Sequence, residues 1–204
     1  MHNAYVDMDG EKMSKSLGNV RTVRELLEQY SGETLRFALL SAHYRSPLNF
    51  SKELLDNAQA TLDGFYLALR NAGDTPVEAS EARLSPVFRA LLDDLNTPAA
   101  IAELHQLAKA LNKTSESEKG AAKAALMAGG AVLGILYEDP VAWLSKSDAD
   151  GDGLTAEVID QMLIDRAEAK VNRDFSRADA IRDELKVAGI IIEDGATGAT
   201  WRRA

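Results

Sequence analysis

Residues Ser85–Leu111 read SPVFRALLDDLNTPAAIAELHQLAKAL. One device occurs twice in this stretch, at Ser85-Pro86 and at Asn96-Thr97-Pro98. A short polar side chain stands ready to accept a free helix amide, and a proline follows that has no amide to leave unpaired. The first predicts a helix to about Leu95 and the second a helix to about Leu111. Ile101, Leu104, Leu107 and Leu111 recur at helical spacing and form an apolar face. Downstream, Lys119–Tyr137 predicts a third helix. Its uncharged run, Ala124–Tyr137, is 14 residues long and holds three glycines. A bilayer needs about 20 apolar residues, so this run predicts a buried core helix and no membrane partner. Three helices with short connections make an antiparallel bundle.

Working upstream, Ser51 is a good N-cap for a helix to about Arg70, with Leu54, Leu55, Ala58, Leu62, Phe65 and Leu69 on one stripe. Thr22 and Glu25 fit a capping box, predicting a helix to about Tyr30 with Gly32 just past its end. A helix over Glu33–Ser41 follows, burying Leu35, Phe37 or Ala38, Leu39 and Leu40. Tyr44-Arg45-Ser46-Pro47 breaks it. Ala4-Tyr5-Val6 is strand-like, Asp7–Gly10 is turn-rich, and Glu11–Asn19 is a polar loop. Downstream of the bundle, Ser145–Gly153 is an Asp-rich linker. Helices are expected over Thr155–Arg173 and Ser176–Ala188, stopped by Gly189. Ile190–Ile192 and Thr200–Arg202 predict two strands, with a turn within Asp194–Gly198. Asn71–Glu81, rich in Gly, Pro, Ala and Glu, marks a first boundary. The expected fold is mainly α: a loop and helical junction over 1–70, a helical bundle over 71–147, and a small α+β domain with a β-hairpin over 154–204.

The chain has 204 residues, 46% of them apolar and 27% charged, which excludes global disorder. It has no cysteine, which excludes disulfides, thiolate metal sites and a cysteine nucleophile. With three histidines (His2, His43, His105), no metal ligand set is assigned. The net charge of −9 argues against a broad basic surface. That charge is unevenly spread. Residues 71–154 carry 7 basic and 13 acidic side chains, against 8 and 9 over 1–70 and 8 and 10 over 155–204. The flanking parts are near neutral and can present basic faces. The first ten residues lack a basic segment followed by an apolar one, so no secretory signal is visible, and a cytoplasmic, soluble protein is expected. Asn112-Lys113-Thr114 matches a glycosylation sequon with nothing else to suggest secretion.

Lys12-Met13-Ser14-Lys15-Ser16, followed by Gly18 and Asn19, is the sharpest feature. Two ammonium groups and two hydroxyls within five residues suit a polyphosphate. Such donors help catalysis when they bind transition-state charge better than ground-state charge. The plain alternative is a solvated Lys/Ser loop. Against it stand the complete KMSKS, the strand before it and the capped helix after it.

KMSKSLGN (Lys12–Asn19) resembles the signature loop of class I aminoacyl-tRNA synthetases, which closes over ATP. The flanking HNAYVDMDGE and LLSAHYRSPLNFS, the Asp94–Pro98 helix start, and the FSRADAIRDEL and GATWRR of the tail are similar to the cysteine–tRNA ligase family. The resemblance spans nearly the whole chain and matches the C-terminal half of that family. It implies the end of a catalytic domain over 1–70, a helical bundle, and a C-terminal anticodon-recognition domain. It implies ATP as substrate, with Lys15 touching the triphosphate, Lys12 supporting it, and Met13, Ser14 and Ser16 completing the loop. It implies tRNA(Cys) as a partner and a monomer. The family's HIGH motif is absent from this sequence, and so are cysteine ligands for the family's zinc. The chain is therefore expected to be one piece of a larger protein whose N-terminal catalytic half is its partner, and to be inactive alone. A mycothiol-pathway cysteine ligase relative and a stand-alone RNA-binding module are the alternatives.

Trp201-Arg202-Arg203 offers a stacking ring beside two guanidinium groups, which suits an unstacked RNA base and its phosphate. Alternatively Trp201 packs on the helix bearing Phe175. Both can hold, with Trp201 in the core and Arg202 and Arg203 facing RNA. Arg166, Lys170, Arg173 and Arg177 fall on one helical stripe if the helix continues. Interleaved acids leave a salt-bridged surface as the other possibility. The family resemblance favours RNA contact, with Arg173 and Arg177 as candidates. Asp148–Gly153 imitates the start of a calcium loop, but Ile159 stands where the bidentate Glu is needed, so a solvated linker is expected. His43 is expected to serve packing and tRNA support, and His105 to be a partly buried bundle residue.

Overall fold

The computed structural model describes residues 3–8, 10–12, 21–75, 82–145, 154–195 and 198–203. The chain divides into two compact units, Met1–Pro140 and Val141–Ala204. The first opens on a three-stranded sheet. Strand β1 (Val6–Met8) pairs antiparallel with β2 (Glu11–Lys12) and parallel with β3 (Leu48–Phe50). Met8 lies opposite Glu11, leaving two residues in the connection. One is Gly10, whose φ of +85° is open to glycine and strained for other residues. Two expectations change here. The strand is Val6–Met8 and not Ala4–Val6, so Asp7 and Met8 belong to it and not to the turn, and Glu11 and Lys12 belong to the sheet and not to the polar loop. Leu48–Phe50 is a further strand that its three residues do not advertise.

The Thr22 capping box is present, with Thr22 N–H donating to Glu25 Oε2 at 2.7 Å and Glu25 N–H to Thr22 Oγ1 at 3.3 Å. The helix it starts, α1 (Val23–Leu26), is a single turn and does not reach Tyr30. Gly32 does not terminate it. Ser31 caps the next helix by accepting from Thr34 N–H at 3.0 Å, and Gly32 is the first residue of α2 (Gly32–Leu40). That helix buries Leu35, Phe37 and Ala38 together with Thr34, while Leu39 is exposed and Leu40 half-buried. Helix α3 (Lys52–Asn71) is capped by Ser51 and buries Leu55, Ala58, Leu62, Phe65 and Leu69 of its predicted stripe, with Tyr66 and Ala68 added, while Leu54 is only half-buried.

After a short 3-10 turn (Ala82–Leu84), Ser85 and Pro86 start α4 (Pro86–Leu91), which stops well short of Leu95. Asp94 and Leu95 both have positive φ, 50° and 54°, where a helix of L-residues cannot continue. Asn96 then caps α5 (Thr97–Lys113) by accepting from Ala99 N–H at 3.1 Å. Its buried face is Ala100, Leu104, Ala108 and Leu111, so the stripe is rotated from the expected one and Ile101 and Leu107 are half-buried. Helix α6 (Lys119–Leu133) stops four residues before the expected Tyr137, with Gly134 in the left-handed conformation as its cap. The close approach of α6 to its neighbours depends on Gly129, where an added Cβ would lie 2.9 Å from Val87 and 3.0 Å from Leu104.

Helices α4, α5 and α6 pack on one another, and α3 packs on α5. The first unit therefore continues through residue 71 without a break in packing. A buried polar cluster crosses the same point. Tyr66, fully buried, donates its hydroxyl to the Glu33 carboxylate at 3.0 Å and accepts from Glu138 N–H at 3.2 Å. Glu33 also accepts from Leu136 N–H at 2.9 Å. Burial raises the Tyr66 phenol above its ordinary range, so it keeps its proton.

A short helix, α7 (Pro140–Leu144), lies where the units divide. In the second unit, Thr155 caps α8 (Ala156–Val171) and Asp174 caps α9 (Phe175–Val187). Gly189, at φ +73°, ends α9 and leads to β4 (Ile190–Gly195), which pairs antiparallel with β5 (Gly198–Arg203). The hairpin extends to Gly195 opposite Gly198, further than the predicted strands. Ile159, Leu163, Ile181, Leu185, Ile190 and Trp201 form its core. Among the described residues no helix is long and apolar enough to cross a membrane.

Replacing Tyr66 with Phe leaves the Glu138 amide without that acceptor and Glu33 without that donor. Urea unfolding followed by far-ultraviolet circular dichroism should show a loss of about 1–3 kcal/mol. An unchanged midpoint would mean the cluster contributes nothing net.

Candidate functional site

The Lys/Ser loop leaves the sheet at Lys12. The backbone of Lys12 pairs opposite Asp7 at the end of β2. Asn49, in β3, accepts the Gly10 N–H on its side-chain oxygen at 2.8 Å and so fixes the turn that precedes the loop. This residue escapes sequence reading, because its partner lies 39 positions away. The side chain of Lys12 and all of Met13, Ser14, Lys15 and Ser16 lie outside the described residues.

The segment that carries β3 is tied to the bundle. Ala4 N–H donates to Tyr44 O at 2.9 Å and Leu48 N–H to Tyr5 O at 3.2 Å. Tyr44 Oη donates to Asp94 Oδ1 at 2.6 Å, and Arg45 Nε lies 3.1 Å from Asp94 Oδ2. His43 Nε2 lies 2.9 Å from the Asp94 carbonyl, so this ring nitrogen is the donor. Thr97 Oγ1 donates to Ala42 O at 3.2 Å. The left-handed turn at Asp94 and Leu95 costs about 1–2 kcal/mol per residue, and these bonds help offset it. His43 thus has a packing role here. His105 differs from expectation: it is exposed, with its ring against Phe65 at a centroid distance of 4.9 Å.

In the second unit several candidate RNA-facing groups are engaged internally. Trp201 is 7% exposed and donates its Nε1–H to Asp160 Oδ1 at 2.7 Å, so its ring is not open for stacking. It packs on the helix that Phe175 begins, though Phe175 itself is exposed. Arg202 Nε donates to Glu193 Oε1 at 3.1 Å. Only the backbone of Arg203 is described.

The basic stripe does not exist as one helical face. Helix α8 ends at Val171, Arg173 takes a φ of 59°, and Arg177 lies on α9. Arg166 is buried and binds Asp194 through both nitrogens, at 2.8 and 3.0 Å, with Lys170 at 3.5 Å from the same carboxylate. Arg173 and Arg177 are exposed and make no ion pair among the described residues. They are the cations of this group that remain open to a ligand.

The Asp148–Gly153 segment lies outside the described residues. Ile159, at the position calcium coordination would need for a carboxylate, is fully buried in the core of the second unit. Among the described residues no group of three or more His, Asp or Glu could hold a metal ion.

The Arg166 guanidinium holds the Asp194 carboxyl down at about 2. Its folded-state value is depressed, so the stabilisation is present above the unfolded carboxylate range near pH 4 and is lost as pH falls toward about 2. Asp194 is partly exposed, which screens the pair and keeps the effect small. Acid unfolding followed by tryptophan fluorescence should be shallower over this window in Asp194→Asn than in the wild type. Superimposable acid curves would contradict the assignment.

Comparison with known proteins places these segments. Residues 1–60 match the family model described as the tRNA synthetases class I (C) catalytic domain. Residues 87–137 match the DALR domain, and residues 152–202 the cysteinyl-tRNA ligase anticodon binding domain. The chain is 53% identical over 203 residues to a cysteine–tRNA ligase of Saccharophagus degradans, covering 100% of this chain and 44% of that protein. It is 47% identical to that of Paramagnetospirillum magneticum and 48% identical to that of Rhodospirillum rubrum, with 100% of the chain and 44% of each relative covered. The chain thus spans less than half the length of these relatives. Along its whole length, from the sheet that leads into KMSKS to the C-terminal hairpin, it belongs to the cysteine–tRNA ligase family.

Proposed function

We propose that this chain supplies two parts of a cysteine–tRNA ligase: the KMSKS loop that contacts ATP, and a surface that binds the anticodon side of tRNA(Cys). The intact enzyme would join cysteine to ATP's α-phosphate with release of pyrophosphate, and pass the cysteinyl group from the adenylate to the tRNA 3′ end with release of AMP. The match of three successive segments, in order, to the catalytic, DALR and anticodon-binding models supports this reading most strongly.

In this scheme Lys15 binds the triphosphate and Lys12 supports it. An ammonium group placed where negative charge builds up lowers the barrier, and a well-placed donor of this kind is worth about 3–4 kcal/mol. Asn49 acts as a positioning residue, because it holds the turn from which Lys12 and the loop depart. Arg173 and Arg177 are the candidates of the second unit for phosphate contact, and Arg203, at the end of β5, is a third. Trp201 supports the hairpin from inside.

By itself the chain does not activate cysteine. It carries no HIGH tetrapeptide and no cysteine ligand for zinc, and part of an ATP site cannot pre-organise the transition state. The purified chain, a monomer in this reading, should bind tRNA(Cys) at low salt and weaken on Arg173→Ala with Arg177→Ala. It should give no cysteine-dependent ATP–pyrophosphate exchange. Exchange above background would overturn the claim of inactivity. Failure to bind tRNA at any salt would overturn the claim of an RNA surface.

A further inference from the structure

Three consecutive side chains converge on one residue of the bundle. The Asp94 carboxylate accepts from the Tyr44 hydroxyl at 2.6 Å and pairs with Arg45 Nε at 3.1 Å, and the Asp94 carbonyl accepts from His43 Nε2 at 2.9 Å. The three are also packed on one another. The His43 and Tyr44 rings lie 4.7 Å apart between centroids, the Arg45 guanidinium carbon lies 5.3 Å from the Tyr44 centroid, and Arg45 Nε donates to Tyr44 Oη at 2.8 Å. Asp94 is therefore gripped by a preformed group and not by three independent side chains.

Stability does not account for this arrangement. The Arg45 and Asp94 side chains are 65% and 48% exposed, and an ion pair so open to water contributes little. The turn beneath it is strained. Helices α3, α6 and α9 are followed by Gly73, Gly134 and Gly189 at positive φ, a conformation that glycine adopts without penalty. Helix α4 is followed by Asp94 and Leu95 at 50° and 54°. Leu95 is 45% exposed, so burial does not reward its conformation. Glycine at position 94 would ease the turn but would carry no carboxylate. Strain that neighbouring bonds hold in place is a mark of sites where geometry matters.

The geometry leads toward the Lys/Ser loop. The Tyr44 carbonyl accepts Ala4 N–H at 2.9 Å, two residues before β1, and Leu48 N–H, at the start of β3, donates to Tyr5 O at 3.2 Å. Strand β1 pairs with both β3 and β2, and β2 ends at Lys12. We infer, on the reading that the KMSKS loop serves ATP, that Asp94 is a positioning residue for the ATP step. It fixes Tyr44 and Arg45, and through them the strands from which the loop departs. The bundle thus takes part in adenylate formation without touching ATP.

The test compares Asp94→Gly, Asp94→Asn and Tyr44→Phe with wild type in the intact ligase. Cysteine-dependent ATP–pyrophosphate exchange is measured without tRNA, so that a loss cannot come from an RNA contact. Asp94→Gly eases the turn and removes the carboxylate. It should melt near the wild-type temperature and still lose at least about tenfold in kcat, with the KM for cysteine unchanged. Tyr44→Phe should reproduce the loss. Asp94→Asn keeps an oxygen for the Tyr44 hydroxyl and tolerates the left-handed backbone, so it should recover most of the rate. In the 204-residue chain carrying Asp94→Gly, the Ala4 and Leu48 amides should exchange with solvent faster while Leu104 and Leu126 keep their protection. Unchanged kcat, or unchanged Ala4 and Leu48 exchange, overturns the positioning role, while wild-type pyrophosphate exchange leaves the loop's ATP role standing. A loss of kcat that tracks a lowered melting temperature marks a merely structural role and overturns it as well. A wild-type ligase that gives no pyrophosphate exchange overturns both readings.

Discussion

Glu33 sits at a half-buried position, and its carboxylate must be satisfied there. It accepts from the fully buried Tyr66 hydroxyl and from the Leu136 amide, and Tyr66 in turn accepts from the Glu138 amide. Three stretches far apart in sequence (the start of α2, the middle of α3 and the exit of α6) are thereby held to one point. Leu136 itself has a φ of 64°, a conformation costly for leucine, and its amide is one of the groups that Glu33 holds. Because these groups bind one another across the three stretches, removing Tyr66 takes a partner from both Glu33 and the Glu138 amide. This is why residues before and after position 71 behave as one packed unit.

That unity bears on function. Strand β2, which carries Lys12, pairs with β1, and β1 pairs with β3, which begins three residues after Arg45; Tyr44 and Arg45 in turn hold Asp94 at the α4–α5 turn. The base of the KMSKS loop and the bundle thus share a frame. A contact made on the bundle by RNA would act on a body that also carries the loop. In the second unit the logic differs. Arg166, Lys170, Arg202 and Trp201 bind neighbours within that unit, so they stabilise the hairpin and α8, while Arg173 and Arg177 stay open.

Much of the fold was legible in the sequence, because it depends on local chemistry. Ser51, Ser85, Asn96 and Thr155 each cap a helix, and their side chains act only three residues away. The apolar stripe of α3 was readable for the same reason. Helix ends were less so. Leu95 and Tyr137 continue a helical pattern on paper, but the left-handed backbone at Asp94, Leu95 and Gly134 stops the helices earlier. That turn is stabilised in part by Tyr44 and Arg45, some 50 residues away. Of the site, the KMSKS motif could be read directly, whereas Asn49 could not. The basic stripe misled because it assumed one helix across Asn172 to Asp174. Trp201 was legible as a core residue, and its role as a stacking ring gives way to its bond with Asp160.

Residues on both sides of position 71 share one cooperative unit built around Tyr66. Native-state hydrogen exchange on wild type and Tyr66→Phe measures this residue by residue. The amides of Leu62 in α3 and of Leu104 and Leu126 in α5 and α6 should lose protection together and by the same free energy, while Ile192 and Trp201 in the second unit stay unchanged. If Leu62 loses protection and Leu104 and Leu126 do not, the bundle is a separate unit and the shared frame for loop and bundle is wrong.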